Sequence, residues 1–184
     1  MATKQDFVSS SFVYNAVNAA VQHNSLYGDA SAEERSRVRG DFRAGVKELL
    51  APFLTGSSTD PTSQAAYQLG WRPDEGAFLS AVDELRARVN RAFKEDDLPE
   101  DCRVSHAQKA LAVALKYYWC AGLTKNAPPF CPIDRRVLHA ADIHKSWTKL
   151  DDMETYICWL RALRKRAEEA KYASLAEWEL EKWS

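Results

Sequence analysis

Apolar residues recur along this chain at spacings of three, four and seven, the period of a single helix face. In "SSSFVYNAVNAAVQH", Phe12, Val13, Ala16, Val17, Ala20 and Val21 form one stripe, and the serines before it can cap a helix. "SAEERSRVRGDFRAGVKELLAPFL" carries the period through Val38, Phe42, Val46, Leu49 and Leu50, and it opens with Ser31 and Glu34 at capping-box spacing. "GSSTDP" interrupts the pattern, and a short helix ended by Gly70 is expected to follow it. "DEGAFLSAVDELRARVNRAFKE" then turns Phe78, Val82, Leu85, Val89 and Phe93 to one side of a long amphipathic helix.

The stretch from Val104 to about Gly122 is apolar on most sides, which predicts the central, most buried helix. Pro132 stands where proline favours the first position of a helix, expected to run through Ala141 with Asp134 two residues on. Asp151 or Asp152 can cap another long helix, and "SLAEWELEKW" opens with Ser174 and Glu177 as a second capping box. No segment alternates with period two for long enough to predict a strand. The expectation is an all-α fold: a single domain over 1–184 with seven to eight helices.

Composition supports that picture. Six Trp and 46% hydrophobic residues supply a core for 184 residues without staples. No apolar run approaches the roughly 20 residues of a membrane helix. The first residues lack a signal-peptide pattern, so no membrane role and a cytoplasmic location are expected. The four cysteines show no CxxC spacing and read as buried free thiols, although Cys120 and Cys131 with His139 or His144 offer an alternative zinc set.

Charge changes the picture more. The net charge of −1 conceals a basic block: residues 103–149 carry 8 basic and 2 acidic side chains, net +6, and three of the four histidines. The flanks 1–102 and 150–184 are acidic, at net −5 and −2. Such a block suits a phosphate-binding face.

Within it, "AQKALAVALKYYWCAGLTKNAPPFCPIDRRVL" draws notice. Ser105, Gln108, Lys109, Ala112 and Lys116 share one side of the predicted helix, and Asp134 falls just past a proline-rich loop. Gln-Lys opening an apolar helix, a lysine seven residues on and then Pro-x-Asp-x-Arg-Val resemble the helix-hairpin-helix DNA glycosylase superfamily. The nearest look is its archaeal 8-oxoguanine glycosylase/lyase branch. The resemblance spans about 32 of 184 residues, with a looser echo in "TYICWLRA". It implies Lys109 as nucleophile, Asp134 as essential carboxylate and Lys116 as a pocket lysine, with Trp159 in the position of a pocket tryptophan.

Two positions depart from that branch. "LPEDCRVSHAQK" has no hairpin glycine, and Thr155 stands where the branch has an acid four residues before its tryptophan. A substrate other than 8-oxoguanine is therefore expected.

The residue types suit base excision. A flipped nucleotide needs an aromatic pocket, for which Tyr118, Trp119, Trp147 and Trp159 are candidates. A lysine depressed in pKa by burial, or by a neighbouring cation such as Lys116, can attack C1′. Arg135, Arg136, Lys145 and Lys149 would hold phosphates. The expected protein is a cofactor-free, metal-free monomer whose partner is DNA with a damaged or modified base, including bases of the phage type. Two alternatives stand beside it: a non-catalytic nucleic-acid-binding module, and an adaptor or inhibitor using exposed Trp178 and Trp183. In the glycosylase reading, Lys109 and Asp134 must meet across a cleft with a pocket beside them.

Overall fold

The computed structural model describes residues 4–22, 26, 30–56, 71–95, 97–98 and 102–182. Among them are seven α-helices and no strand: α1 (Lys4–Val21), α2 (Ala32–Thr55), α3 (Pro73–Glu95), α4 (Val104–Cys120), α5 (Arg135–Ala140), α6 (Met153–Glu169) and α7 (Leu175–Glu181). A 3₁₀ turn, Trp147–Lys149, lies between α5 and α6. The stripes bury as their period requires. Val13, Ala16, Val17 and Ala20 of α1 meet Val38, Phe42, Val46 and Leu50 of α2 and Phe78, Val82, Leu85, Val89 and Phe93 of α3 in one core.

The central position of α4 follows from its composition. Ala107, Ala110, Leu111, Ala112 and Ala114 are all fully buried, and the four alanines let other helices approach closely. The helix packs against α1, α2, α3 and the 3₁₀ turn. Between α2 and α3, Gly45 eases the approach, since a Cβ there would stand 2.8 Å from Leu85 Cδ1 and force that side chain to shift.

Caps explain most helix starts. Ser31 and Glu34 form the reciprocal capping box, with Ser31 N donating to Glu34 Oε2 at 2.7 Å and Glu34 N to Ser31 Oγ at 3.2 Å. Asp152 caps α6, and Ser174 Oγ accepts from Glu177 N at the start of α7. Gly56, at φ 74°, closes α2 in the left-handed conformation.

Several expectations change. α1 begins at Lys4, so its serines lie inside the helix, and Ser11 Oγ donates to Phe7 O instead of capping. Pro132 and Asp134 are not the first and third residues of α5. That helix starts at Arg135, with Asp134 itself as the N-cap, because Ile133 is already held by another side chain. Only Cys102 and Cys131 are buried thiols; Cys120 and Cys158 are exposed. Trp178 is buried against the core and offers no surface to a partner. Trp183 and the short helix expected before Gly70 lie outside the described residues. Among the described residues no helix is long and apolar enough to cross a membrane.

Candidate functional site: a lysine and a carboxylate across a basic cleft

The first turns of α4 serve as an anchor for two separate loops. Gln108 is fully buried, and its amide pairs with both polar groups of Ile133. Nε2 donates to Ile133 O at 2.9 Å, and Ile133 N donates to Oε1 at 3.0 Å. One residue further along each segment stand Lys109 and Asp134. On the other flank, Ser105 N donates to Leu150 O at 3.0 Å and Arg103 Nη1 to Thr148 O at 3.2 Å, which fastens the 3₁₀ turn and its Trp147. Buried amides and carbonyls need such partners, so the polar start of α4 is what orders the loops around Lys109.

Asp134 divides its two oxygens between structure and cleft. Oδ1 accepts from Arg136 N at 3.0 Å and Val137 N at 3.2 Å, capping α5. Oδ2 lies 3.8 Å from Lys109 Nζ, an ion-pair distance too long for a direct hydrogen bond. The Lys109 ammonium also sits 4.2 Å from the centre of the Trp147 ring.

Burial pushes the Lys109 pKa below the usual lysine value, and the charges of Asp134 and, more weakly, Glu179 oppose that shift. Desolvation is the largest cause of the lowering.

Lys109, Asp134 and Arg136 stand between two depressions. The larger, about 680 Å³, is further lined by Arg135, His139, Lys145, Ser146, Trp147 and Thr148. The second, about 440 Å³, is lined by Ala19, Gln22, Val113, Lys116, Tyr117, Pro132 and Leu180 as well. The first is cationic and open along one side; the second has mostly apolar walls.

The structure thus brings together Lys109, Asp134, Arg135, Arg136 and Lys145 in one cleft and adds Lys116 in the adjoining cavity. Of the aromatic candidates it brings Trp147 to the cleft, and it does not bring the remaining candidates there. Tyr118 is buried and packs edge-on against Phe12 at 5.3 Å, while its neighbour Tyr117 lines the second cavity. Trp159 is half-buried on α6 and lines neither depression, and exposed Lys149 also lies outside both.

One residue at the site went unremarked in the sequence. Glu179 of α7 is 1% exposed and grips Lys116 Nζ through both oxygens, at 2.7 and 3.0 Å. The signal was available, since Glu179 falls on the same helix face as the buried Leu175 and Ala176. A glutamate on that face needs a cation.

His139 and His144 pack ring against ring at 5.4 Å beside the cleft. Among the described residues, no three His, Cys, Asp or Glu side chains converge as metal ligands.

Comparison with protein-family models, with curated proteins and with solved structures returns no match to this chain.

Proposed function

We propose that this protein is a DNA N-glycosylase, acting on a damaged or modified base with Lys109 and Asp134 as its reacting pair. The observation that carries the reading is the meeting of these two side chains, from separate elements, in a cleft edged by Arg135, Arg136 and Lys145. A half-buried lysine with a depressed pKa, a carboxylate and a phosphate-binding rim are what excision by amine attack requires.

The chemistry runs as follows. The cationic rim holds the backbone of a nucleotide flipped out of the stack. As the N-glycosidic bond lengthens, positive charge grows on the sugar, and Asp134 Oδ2 stabilises it. Neutral Lys109 Nζ bonds to C1′ while the bonding electrons leave with the base, which takes up a proton. Ring opening of the sugar yields a protonated imine on Lys109. Loss of a 2′ proton can then expel the 3′ phosphate, giving lyase activity.

Sodium borohydride trapping on duplex and single-stranded DNAs that carry different modified bases tests this directly. The expected result is a covalent adduct with at least one substrate, absent in Lys109→Gln. DNA binding without an adduct or base release on any substrate would instead mark a non-catalytic binding module.

A further inference from the structure

We propose that Glu179 is a positioning residue for Lys109: by holding Lys116 it balances the charge of the cavity in which the Lys109 amine must lose its proton. The proposal rests on the reading of Lys109 as the reacting amine. Lys116 lies seven residues beyond Lys109, two turns along the same face of α4, and both side chains line the second cavity. Neither is free in water; their side chains are 15% and 12% exposed. Two ammonium groups that line one cavity and are each largely shielded from water repel each other and resist burial. Glu179, at 1% exposure, supplies the compensating charge from α7 and spans Lys116 with both oxygens.

The surroundings of Lys109 comprise few other charges. From α5 and its cap come Asp134, Arg135, Arg136 and His139. The segment before α6 contributes Lys145 with the Trp147 ring, α4 contributes Lys116, and α7 contributes Glu179. Arg135, Arg136, His139 and Lys145 are exposed and screened by solvent. Asp134 and the Glu179–Lys116 pair are the sheltered charges, so altering one member of the pair acts on Lys109 with little screening.

The sign differs for the two partners. Removing the Glu179 charge withdraws a favourable neighbour from the Lys109 ammonium and makes the cavity more positive, so Lys109 gives up its proton at lower pH. Removing the Lys116 charge makes the same cavity more negative, so Lys109 holds its proton to higher pH. Removing both restores the balance.

The test needs no DNA. The rate of Lys109 acetylation by dilute acetic anhydride, followed by peptide mass spectrometry as a function of pH, reports the fraction of free amine. The full chain is used throughout. Glu179→Gln is expected to move the midpoint down, and Lys116→Met up, each by roughly half a unit to one unit. Lys116→Met/Glu179→Leu should return it to within about 0.3 units of the parent, on the same electrostatic argument.

A purely packing role for Glu179 would not move the two single variants in opposite directions. Unchanged midpoints, or shifts of one sign in both, would overturn the proposal. Should Glu179→Gln fail to fold, Lys116→Met and the neutral double variant still decide it, because the proposal demands an upward shift in the first that the second reverses. Opposed shifts without any borohydride-trapped DNA adduct would leave the charge balance standing and remove the glycosylase reading.

Discussion

Lys109 is held by competing forces. Desolvation disfavours its ammonium form, while Asp134 at 3.8 Å and the Trp147 ring at 4.2 Å favour it. Burial wins, and this has a pH consequence. Trapping rates on a cleaved substrate should climb with pH and level off below the usual lysine range; a rise continuing to about pH 10.4, the ordinary lysine value, would mean an unperturbed amine. The stability sign follows from the same shift. Between the lowered value and the ordinary one, the unfolded chain binds more protons at Lys109 than the folded chain, so its contribution to stability improves as pH rises through that window. Lys109→Met should lose this part of the pH dependence in urea unfolding.

Asp134→Asn keeps an oxygen for the cap and loses the charge facing Lys109 across the cleft. It should cost at most about 1 kcal/mol of stability, the usual worth of a cap. Single-turnover excision should fall by orders of magnitude. If Asp134→Asn and Lys109→Gln both excise at the parental rate, the pair serves only folding.

At the scale of elements, the register between α4 and the loop before α5 rests on Gln108. Its amide satisfies both polar groups of Ile133 in a fully buried setting, so Gln108→Leu strands a donor and an acceptor. A loss of roughly 2–4 kcal/mol is expected from two unsatisfied buried groups, visible as a lower urea midpoint. Excision should drop as well, although Lys109 and Asp134 are both retained, because Gln108 holds the Ile133 peptide, and with it Asp134, in register with α4. Full activity in Gln108→Leu would show that α5 is placed by its own packing instead. On the far side of that helix, Arg166 Nη2 meets Asp142 Oδ2 at 2.6 Å in the open. This exposed pair contributes little, on the order of 0–1 kcal/mol.

For the whole molecule, Lys109, Arg135, Arg136 and Lys145 of the basic block gather around one cleft, with Lys116 in the adjoining cavity. On the proposed function, phosphates bound at this rim would release counterions. Arg135→Glu or Arg136→Glu should therefore weaken DNA binding and reduce the slope of log affinity against log salt by about one unit per lost contact. Fluorescence anisotropy at several salt concentrations reads both, and affinity independent of salt would remove DNA from consideration. Substrate choice belongs to the same scale. With Thr155 in the first turn of α6 and Trp159 outside both depressions, weak or no excision of 8-oxoguanine opposite cytosine is expected. Efficient release of that base would contradict this view of the cavity.

Periodicity in the sequence determined the helices, because burying a stripe of period 3.6 leaves one local solution. Val38, Phe42, Val46 and Leu50 of α2 and the five core residues of α3 lie where that period places them. Capping residues set several helix starts for a similarly local reason: Ser31, Asp152 and Ser174 each satisfy a backbone N–H three residues on. Local rules failed where a distant side chain intervened. The start of α5 moved to Arg135 because Gln108, 25 residues earlier, claims Ile133.

The charged residues of the site were legible as types, but their company was not. Lys109 meeting Asp134, and Lys116 paired with Glu179 from 63 residues away, arise from the crossing of helices whose spacing carries no record of which faces will touch. Trp178 and Tyr118 show the same limit: helical period puts an aromatic ring on a face, and only packing decides whether that face meets core, cleft or water.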